Sequence, residues 1–466
     1  MIGAGARGKN NKKRDTMSTD EIKAKGPGAA VAEGRVLVIG GGVAGIQASL
    51  DLADAGAQVY LVEKSPSIGG WMAFLDKTFP TNDCSICILA PKMADCFGHP
   101  NINVLTSTKV IAVKGEAGKF TVTILRKSRF IDEEKCTGCL ECVEKCPTKV
   151  PNEFEFGLAI RKAIYIPFMQ AVPRVVSIDR EHCIKLTKDK CGICEKTCKR
   201  GAVDYEMKDQ EAEIKVQSII VATGFDLWDP TAAREYGYGR YPNVYIAMEF
   251  ERIINASGPT GGHIQRRSDG LRPRKIGYIQ CVGSRNPNLG HPYCCSVCCM
   301  HSTKEAMLAR EHHDDMESTI FYKDMRTFGK GFNEYMERAK RDYGVRYINS
   351  DATVEENKDN HNPIIVYDVA GKSEREEFDM VVLATTLVPR AGSEELAQAL
   401  GIPLSEFKFF QSRDRILHPM DTPRDGVFLA GYCAGPVDIP ESVAQGSAAA
   451  SRAMDIMTRK HKEAAA

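Results

Sequence analysis

Cysteines carry most of the chemistry this sequence could do, and they fall into four groups. Cys136-x-x-Cys139-x-x-Cys142-x-x-x-Cys146 is followed directly by Pro147. Three thiolates two residues apart can wrap one 4Fe-4S cube, while the fourth, set before proline, points to a neighbouring cluster. Cys183, Cys191, Cys194 and Cys198 supply that neighbour, with seven residues in the first gap and Lys199 in place of the usual proline. A zinc ribbon is the alternative, but the proline and the paired second run both favour iron–sulfur ligation. Crossed ligation follows: Cys136, Cys139, Cys142 and Cys198 on one cluster, Cys183, Cys191, Cys194 and Cys146 on the other. The third group is Cys281, Cys294, Cys298 and Cys299, from a strand end and a helix start, with Cys295 as a spare thiol. Adjacent Cys298 and Cys299 are irregular for zinc, whose ligands usually stand two or more residues apart. Buried structural thiols are the alternative there. Cys84-x-x-Cys87, with Cys96 beyond, fits a redox dithiol, half of a metal site or inert buried thiols.

The elements that must position these thiols are organised around Arg35–Glu63, which reads as strand, glycine turn, helix and strand. Gly40-Gly41-Gly42-Val43-Ala44-Gly45 fits G-x-G-x-x-G between an apolar β-branched run and the helical spacing of Ile46–Ala55. Gly40 can make the turn, Gly42 admits a pyrophosphate to the backbone, and Gly45 lets helix and strand pack closely. The phosphates would sit on the free N–H groups at the helix start. Glu63, 18 residues after Gly45, ends the second strand where its carboxylate can accept hydrogen bonds from both ribose hydroxyls.

Further along, residues 101–126 read as a strand pair and Ile214–Val221 as a strand running into Ala222-Thr223-Gly224. A second βα series follows: strand Lys275–Gln280, helix Ser302–His312, strand Ser318–Asp324, helix Gly331–Tyr343, strands near Val345 and Ile364, and Met380–Thr385. Where this series should carry its own glycine fingerprint it has Cys281-Val282-Gly283-Ser284-Arg285, so only Gly283 remains to face a phosphate. Strand Val427–Ala430 leads through Gly431 to a small-residue helix, Ser442–Met457. The expected fold is α/β: two dinucleotide-binding, thioredoxin-reductase-like domains with an inserted two-cluster ferredoxin-like domain. Its parts are a disordered leader (1–33, with Met17 as an alternative start), a FAD domain in three pieces (34–126, 209–273, 404–466), the insert (127–208) and a degenerate nicotinamide-type domain (274–403).

The 466 residues allow about three domains. A net charge of +1 gives no reason to expect nucleic acid as a partner. No apolar run reaches the ~18 residues of a membrane span, and no signal-peptide core is present, so a cytoplasmic protein is expected. Seventeen cysteines then point to iron–sulfur or metal ligation rather than disulfides.

With the glycine fingerprint, the paired cysteine runs, the CxxCILAPKM, CVGSR and CCSVCCM segments and the GPVDIPESVAQGSAAA ending in view, the chain resembles the A-type chain of heterodisulfide reductase from residue 34 onward. The quinone-interacting oxidoreductase subunit is a relative of similar size. The resemblance implies FAD and several 4Fe-4S clusters: two in the insert and one more in the second domain, on Cys281, Cys294, Cys298 and Cys299. It places FAD against Gly40, Gly42, Ala44, Gly45, Glu63, Lys64 and Gly70, then Thr223 and Gly224, then Gly431, Ser442 and Gln445. In this family the flavin passes or bifurcates an incoming electron pair. The implied partners are B- and C-type subunits, an electron-donating hydrogenase or dehydrogenase, ferredoxin as a second acceptor, and a second copy in a homodimer. A self-contained NAD(P)H-dependent disulfide reductase is the alternative, with Cys84 and Cys87 facing the flavin.

Overall fold

The computed structural model describes residues 16–17 and 34–465. Most of the expected leader lies outside the described residues; Thr16 and Met17 pair in parallel with Glu211 and Ala212.

The first sheet has five parallel strands in the order Val427–Leu429, Ser218–Val221, Arg35–Ile39, Gln58–Val62, Ile102–Leu105. Side chains alternate across a strand, and here both faces are covered, which is why these strands read as unbroken apolar runs. Val36, Val38, Val59 and Leu61 pack under helices Val43–Asp54 and Ile439–Ala465. Leu37, Ile39, Tyr60 and Val62 face the other way, onto Phe120, Val122 and Ile214 of an antiparallel sheet formed by Thr108–Lys114, Phe120–Arg126 and Gln210–Val216. Each buried aliphatic side chain contributes about 1.5–3 kcal/mol.

Two expected elements divide here. The single strand at 214–221 is two strands: Gln210–Val216 pairs antiparallel with Phe120–Arg126, and Ser218–Val221 pairs parallel with Val36–Ile39. Gln217 turns the corner, exchanging hydrogen bonds with the Arg35 backbone. The strand pair at 101–126 is three strands, the first of which closes the parallel sheet.

The second sheet is also parallel, in the order Val244–Ile246, Met380–Thr385, Lys275–Val282, Glu317–Tyr322, Arg346–Asn349. Helices Ala247–Ile254, Cys298–His312 and Phe332–Tyr343 cover one face, and strands Ala352–Glu356, Pro363–Val369 and Lys372–Glu377 cover the other. Residues 244–254 therefore belong with this sheet, although the sequence places all of 209–273 in the flavin domain. Conversely, helix Ser393–Leu400, expected in the second domain, packs Ala397 and Leu400 onto the first. The cause is the crossing point, where Phe225–Leu227 pairs antiparallel with Leu387–Pro389, so the chain leaves and returns between the domains at these two strands.

Within 127–208, short strands pair Lys149–Pro151 with Ile160–Lys162 and Ile164–Tyr165 with Ser177–Ile178. Buried Arg129 ties this unit down, donating to Pro66 O, Thr106 Oγ1 and Ser177 Oγ.

Candidate functional site

The glycine turn has the geometry its sequence requires. Gly40 holds φ at +110°, and a Cβ there would lie 2.3 Å from Ala222 O. A Cβ on Gly45 would lie 1.9 Å from Gly40 O, so helix and strand touch through the missing side chain. At Gly42 the nearest atom to such a Cβ is Gly70 Cα, 4.0 Å away, and the space opens into a cleft of about 520 Å³. Glu63 lines that cleft. Its Oε2 accepts from Gly41 N at 2.7 Å, and its Oε1 accepts from Ser65 N and Oγ at 2.8 Å each. The carboxylate thus fixes the glycine loop from the wall of the cleft, with acceptor capacity left over.

Gly40, Gly42, Ala44, Gly70, Thr223, Gly224, Gly431 and Ser442 line the same cleft. Gln445 stands behind it, accepting a hydrogen bond from Gly431 N at 2.8 Å. Lys64 is exposed and outside the lining, and Gly45 lies in the packed layer beneath. The Thr223 hydroxyl completes no hydrogen bond among the described residues. Open space at Gly42, an unspent hydroxyl and the free N–H groups of a helix start suit a dinucleotide pyrophosphate.

Aromatic rings form the cleft's walls. Trp71 stacks on Phe225 with centroids 5.6 Å apart, and its Nε1 donates to Phe225 O at 2.7 Å. Phe154 and Phe168 come from the insert and line the cleft as well, stacked at 4.9 Å. The long segment between the two cysteine runs therefore completes the cleft as well as linking the runs. Buried Arg252 fastens it to the second domain, pairing with Glu155 at 2.9 and 3.1 Å.

Beneath one wall lies a set of buried charges that sequence patterning does not reveal. Lys304 Nζ donates to Glu251 Oε1 at 2.5 Å and to Lys77 O at 2.9 Å, and His301 Nε2 lies 2.8 Å from the same carboxylate oxygen. His301 and Lys304 line the cleft. Burial opposes the Glu251 charge, but Lys304 and the bond to His301 outweigh it and hold the carboxyl below its ordinary range. Burial and then the Glu251 charge push Glu305 well above that range. The Glu251, His301 and Glu305 ligand atoms converge closely enough for a metal ion, and the Lys304 ammonium already supplies the positive charge there. The available signal is a helix, Cys298–His312, buried nearly all round yet containing Lys304 and Glu305.

The cysteines gather in three places. Cys146, from the first run, lines one small enclosed pocket with Cys183, Cys191 and Cys194. Cys142 is buried, its thiol pushed up to about 12 by burial first and then by the neighbouring sulfurs of Cys194, Cys136, Cys198 and Cys139. In the second domain Cys281, Cys295, Cys298 and Cys299 form one buried group with Tyr432 and Phe409. Cys294 sits at its rim, its Sγ accepting from Ser296 N at 3.4 Å. Cys295, the expected spare thiol, is thus deeper than Cys294. Hydrogen bonds from Cys298 hold Cys281 down at about 7 and lower Cys299 too, so thiolates are favoured around a central donor. Gly283 faces no phosphate: a Cβ there would lie 2.4 Å from the Trp228 ring. Cys84 and Cys87 are joined as a disulfide, and neither lines the cleft. Cys96 is fully buried, its thiol pushed up to about 12 by burial.

Comparison with known proteins gives this geometry a family. The family described as FAD dependent oxidoreductase matches residues 35–75, and the 4Fe-4S binding domain matches 129–152. The A-type chain of the H(2):CoB-CoM heterodisulfide,ferredoxin reductase of Methanothermobacter marburgensis is 50% identical over 431 residues, 92% of this chain and 65% of the relative. The second iron–sulfur A-type chain of the CoB--CoM heterodisulfide reductase of Methanopyrus kandleri is 53% identical over 422 residues, 90% of this chain and 64% of the relative. The chain belongs to the heterodisulfide reductase A-type family. It spans about 65% of the length of the first of these relatives. The cofactors of this chain are FAD and 4Fe-4S clusters. A solved structure, the thioredoxin reductase of Lactococcus lactis, shares the fold at a TM-score of 0.51 and 14% identity, covering 92% of this chain and 100% of that one. Among the described residues no helix is long and apolar enough to cross a membrane.

Proposed function

We propose that this chain is the electron-transfer component of a heterodisulfide-reductase-like complex. It takes electrons from a partner hydrogenase or dehydrogenase and passes or bifurcates them to a disulfide-reducing partner and to ferredoxin. One observation carries the reading: Cys298, from the buried thiol group that stands where a nicotinamide phosphate loop would begin, lines the flavin cleft itself. In this reading FAD rests on Gly40–Gly45 and Gly431–Ser442. One cluster is held by Cys281, Cys294, Cys298 and Cys299 of the second domain, and two by the insert in crossed sets.

Bound flavin exchanges one or two electrons and the clusters one at a time. The chain's own residues do the rest. Glu63 and Gln445 fix the two glycine turns, Trp71, Phe154, Phe168 and Phe225 exclude water, and Lys304 presents a fixed ammonium to the cleft. Relatives are named for hydrogen, formate, ferredoxin and F420H2, which supports a donor outside this chain.

Native purification with mass-spectrometric identification of the co-purifying chains tests the proposal. B- and C-type heterodisulfide reductase chains with a hydrogenase or dehydrogenase are the expected company. Rapid bleaching of the flavin by NADH or NADPH in the isolated chain would contradict it.

A further inference from the structure

We propose that Cys84 and Cys87 form a redox-active disulfide that exchanges with an external dithiol, and that its state is transmitted to the flavin cleft through the segment Asp76–Phe79. The other fifteen cysteines are free. Iron–sulfur ligation needs thiolates and hence reducing surroundings, where disulfides are usually transient and either catalytic or redox-sensing.

The two sulfurs are placed for unequal roles. Cys87 is exposed, while Cys84 is half-buried and caps the 14-residue helix Ser85–Gly98, its Sγ accepting from Cys87 N at 3.3 Å. A thiolate at a helix N-terminus is stabilised by the unpaired N–H groups, and a thiol of lowered pKa is the better leaving group. A thiolate of the dithiol therefore attacks Cys87 Sγ. The Cys84–Cys87 bond breaks and Cys84 leaves as the capped thiolate. The second thiol of the dithiol then displaces Cys87 from the mixed disulfide. The protein gains two electrons and two protons, and the dithiol departs as a disulfide.

The pair is wired to the cleft by backbone. Cys84 bridges Lys77 in antiparallel fashion, Ser85 N donates to Asp76 O at 3.0 Å, and Thr78 N donates to Asp83 O at 2.9 Å. On its other side the same segment receives Lys304 Nζ on Lys77 O at 2.9 Å and donates from Asp76 N to Glu251 Oε2 at 2.8 Å. Lys77, Thr78 and Phe79 line the cleft. The segment is thus held between the backbone at Asp83–Ser85, which carries one half of the disulfide, and the buried Lys304–Glu251 pair, so a shift of Cys84 on reduction is passed along these hydrogen bonds.

The test uses anaerobic, FAD- and cluster-loaded protein and dithiothreitol. After native treatment, thiols are blocked with N-ethylmaleimide and the peptide containing both cysteines is mapped by mass spectrometry. The expected result is no label on the pair before dithiothreitol and two labels after it. Glutathione, as a monothiol probe, should leave its mixed disulfide on Cys87. The visible flavin band should shift with reduction of the pair in the wild type and stay unmoved by dithiothreitol in the C84S/C87S variant. A pair that resists dithiothreitol until the protein is denatured, an adduct on Cys84, or iron bound to the pair would overturn the proposal. A wild-type flavin band blind to the state of the pair would overturn its coupling to the cleft.

Discussion

The Lys304 ammonium lies 2.5 Å from Glu251 Oε1, with the two side chains only 1% and 0% exposed. This places a buried ion pair against the cleft, Lys304 coming from the helix that begins with the buried cysteines and Glu251 from the helix Ala247–Ile254. Such a pair contributes little net stability against an apolar replacement, but removing one partner strands a charge. Lys304→Met should therefore cost about 3–5 kcal/mol. Combining it with Glu251→Gln should recover a large part of that loss. Urea denaturation of the two variants checks this, and equal losses in both would contradict the pairing.

Asp76 gives a pH-dependent prediction. Burial first, then the nearby Glu251 charge, pushes its carboxyl up from 3.8 to about 6. Because the folded value lies above the unfolded one, folding favours the protonated acid, and stability falls as pH rises between those two values. Asp76→Asn removes the penalty while leaving the backbone contacts of residue 76 in place. Allowing for partial solvent screening, it should gain about 1–2 kcal/mol near neutrality, with the gain shrinking towards pH 4. Melting temperatures of both proteins across that range decide the point. A gain independent of pH would assign the effect to something other than this carboxyl.

Crossed ligation in the insert is tested by comparing single substitutions in the full chain. Cys146 shares its pocket with Cys183, Cys191 and Cys194, so Cys146→Ser and Cys183→Ser should remove the same paramagnetic signal. Cys198→Ser should instead match Cys136→Ser. If Cys146→Ser matches Cys136→Ser, each run ligates its own cluster and the crossing is wrong.

Much of the fold and the site is legible in the sequence because it rests on local rules. The glycine turn, the buried parallel strands and the cysteine spacings each follow from a few consecutive residues. Val36–Ile39 and Met380–Ala384 announce buried strands by being apolar throughout. The rest depends on contacts far apart in the chain. Phe154 and Phe168 belong to the cysteine-rich insert, and only the folded chain brings them to the cleft. Lys304 and Glu251, 53 residues apart, read singly as solvent-facing charges. The split at Gln217 is hidden because Ile214–Val221 reads as one strand, although alternation in Gln210–Val216 marks a half-exposed strand and Ser218–Val221 is buried on both faces. Cys295 is easily passed over because sequence spacing does not say which of two adjacent thiols turns inward.

A cluster standing where a nicotinamide loop would otherwise begin is best tested by iron content. Three 4Fe-4S clusters predict about twelve irons per FAD in the wild-type chain, and Cys298→Ser combined with Cys299→Ser should lower this to about eight while the signals of the insert persist. Unchanged iron in the double variant, or a wild-type chain holding only about eight, would contradict a third cluster at this position.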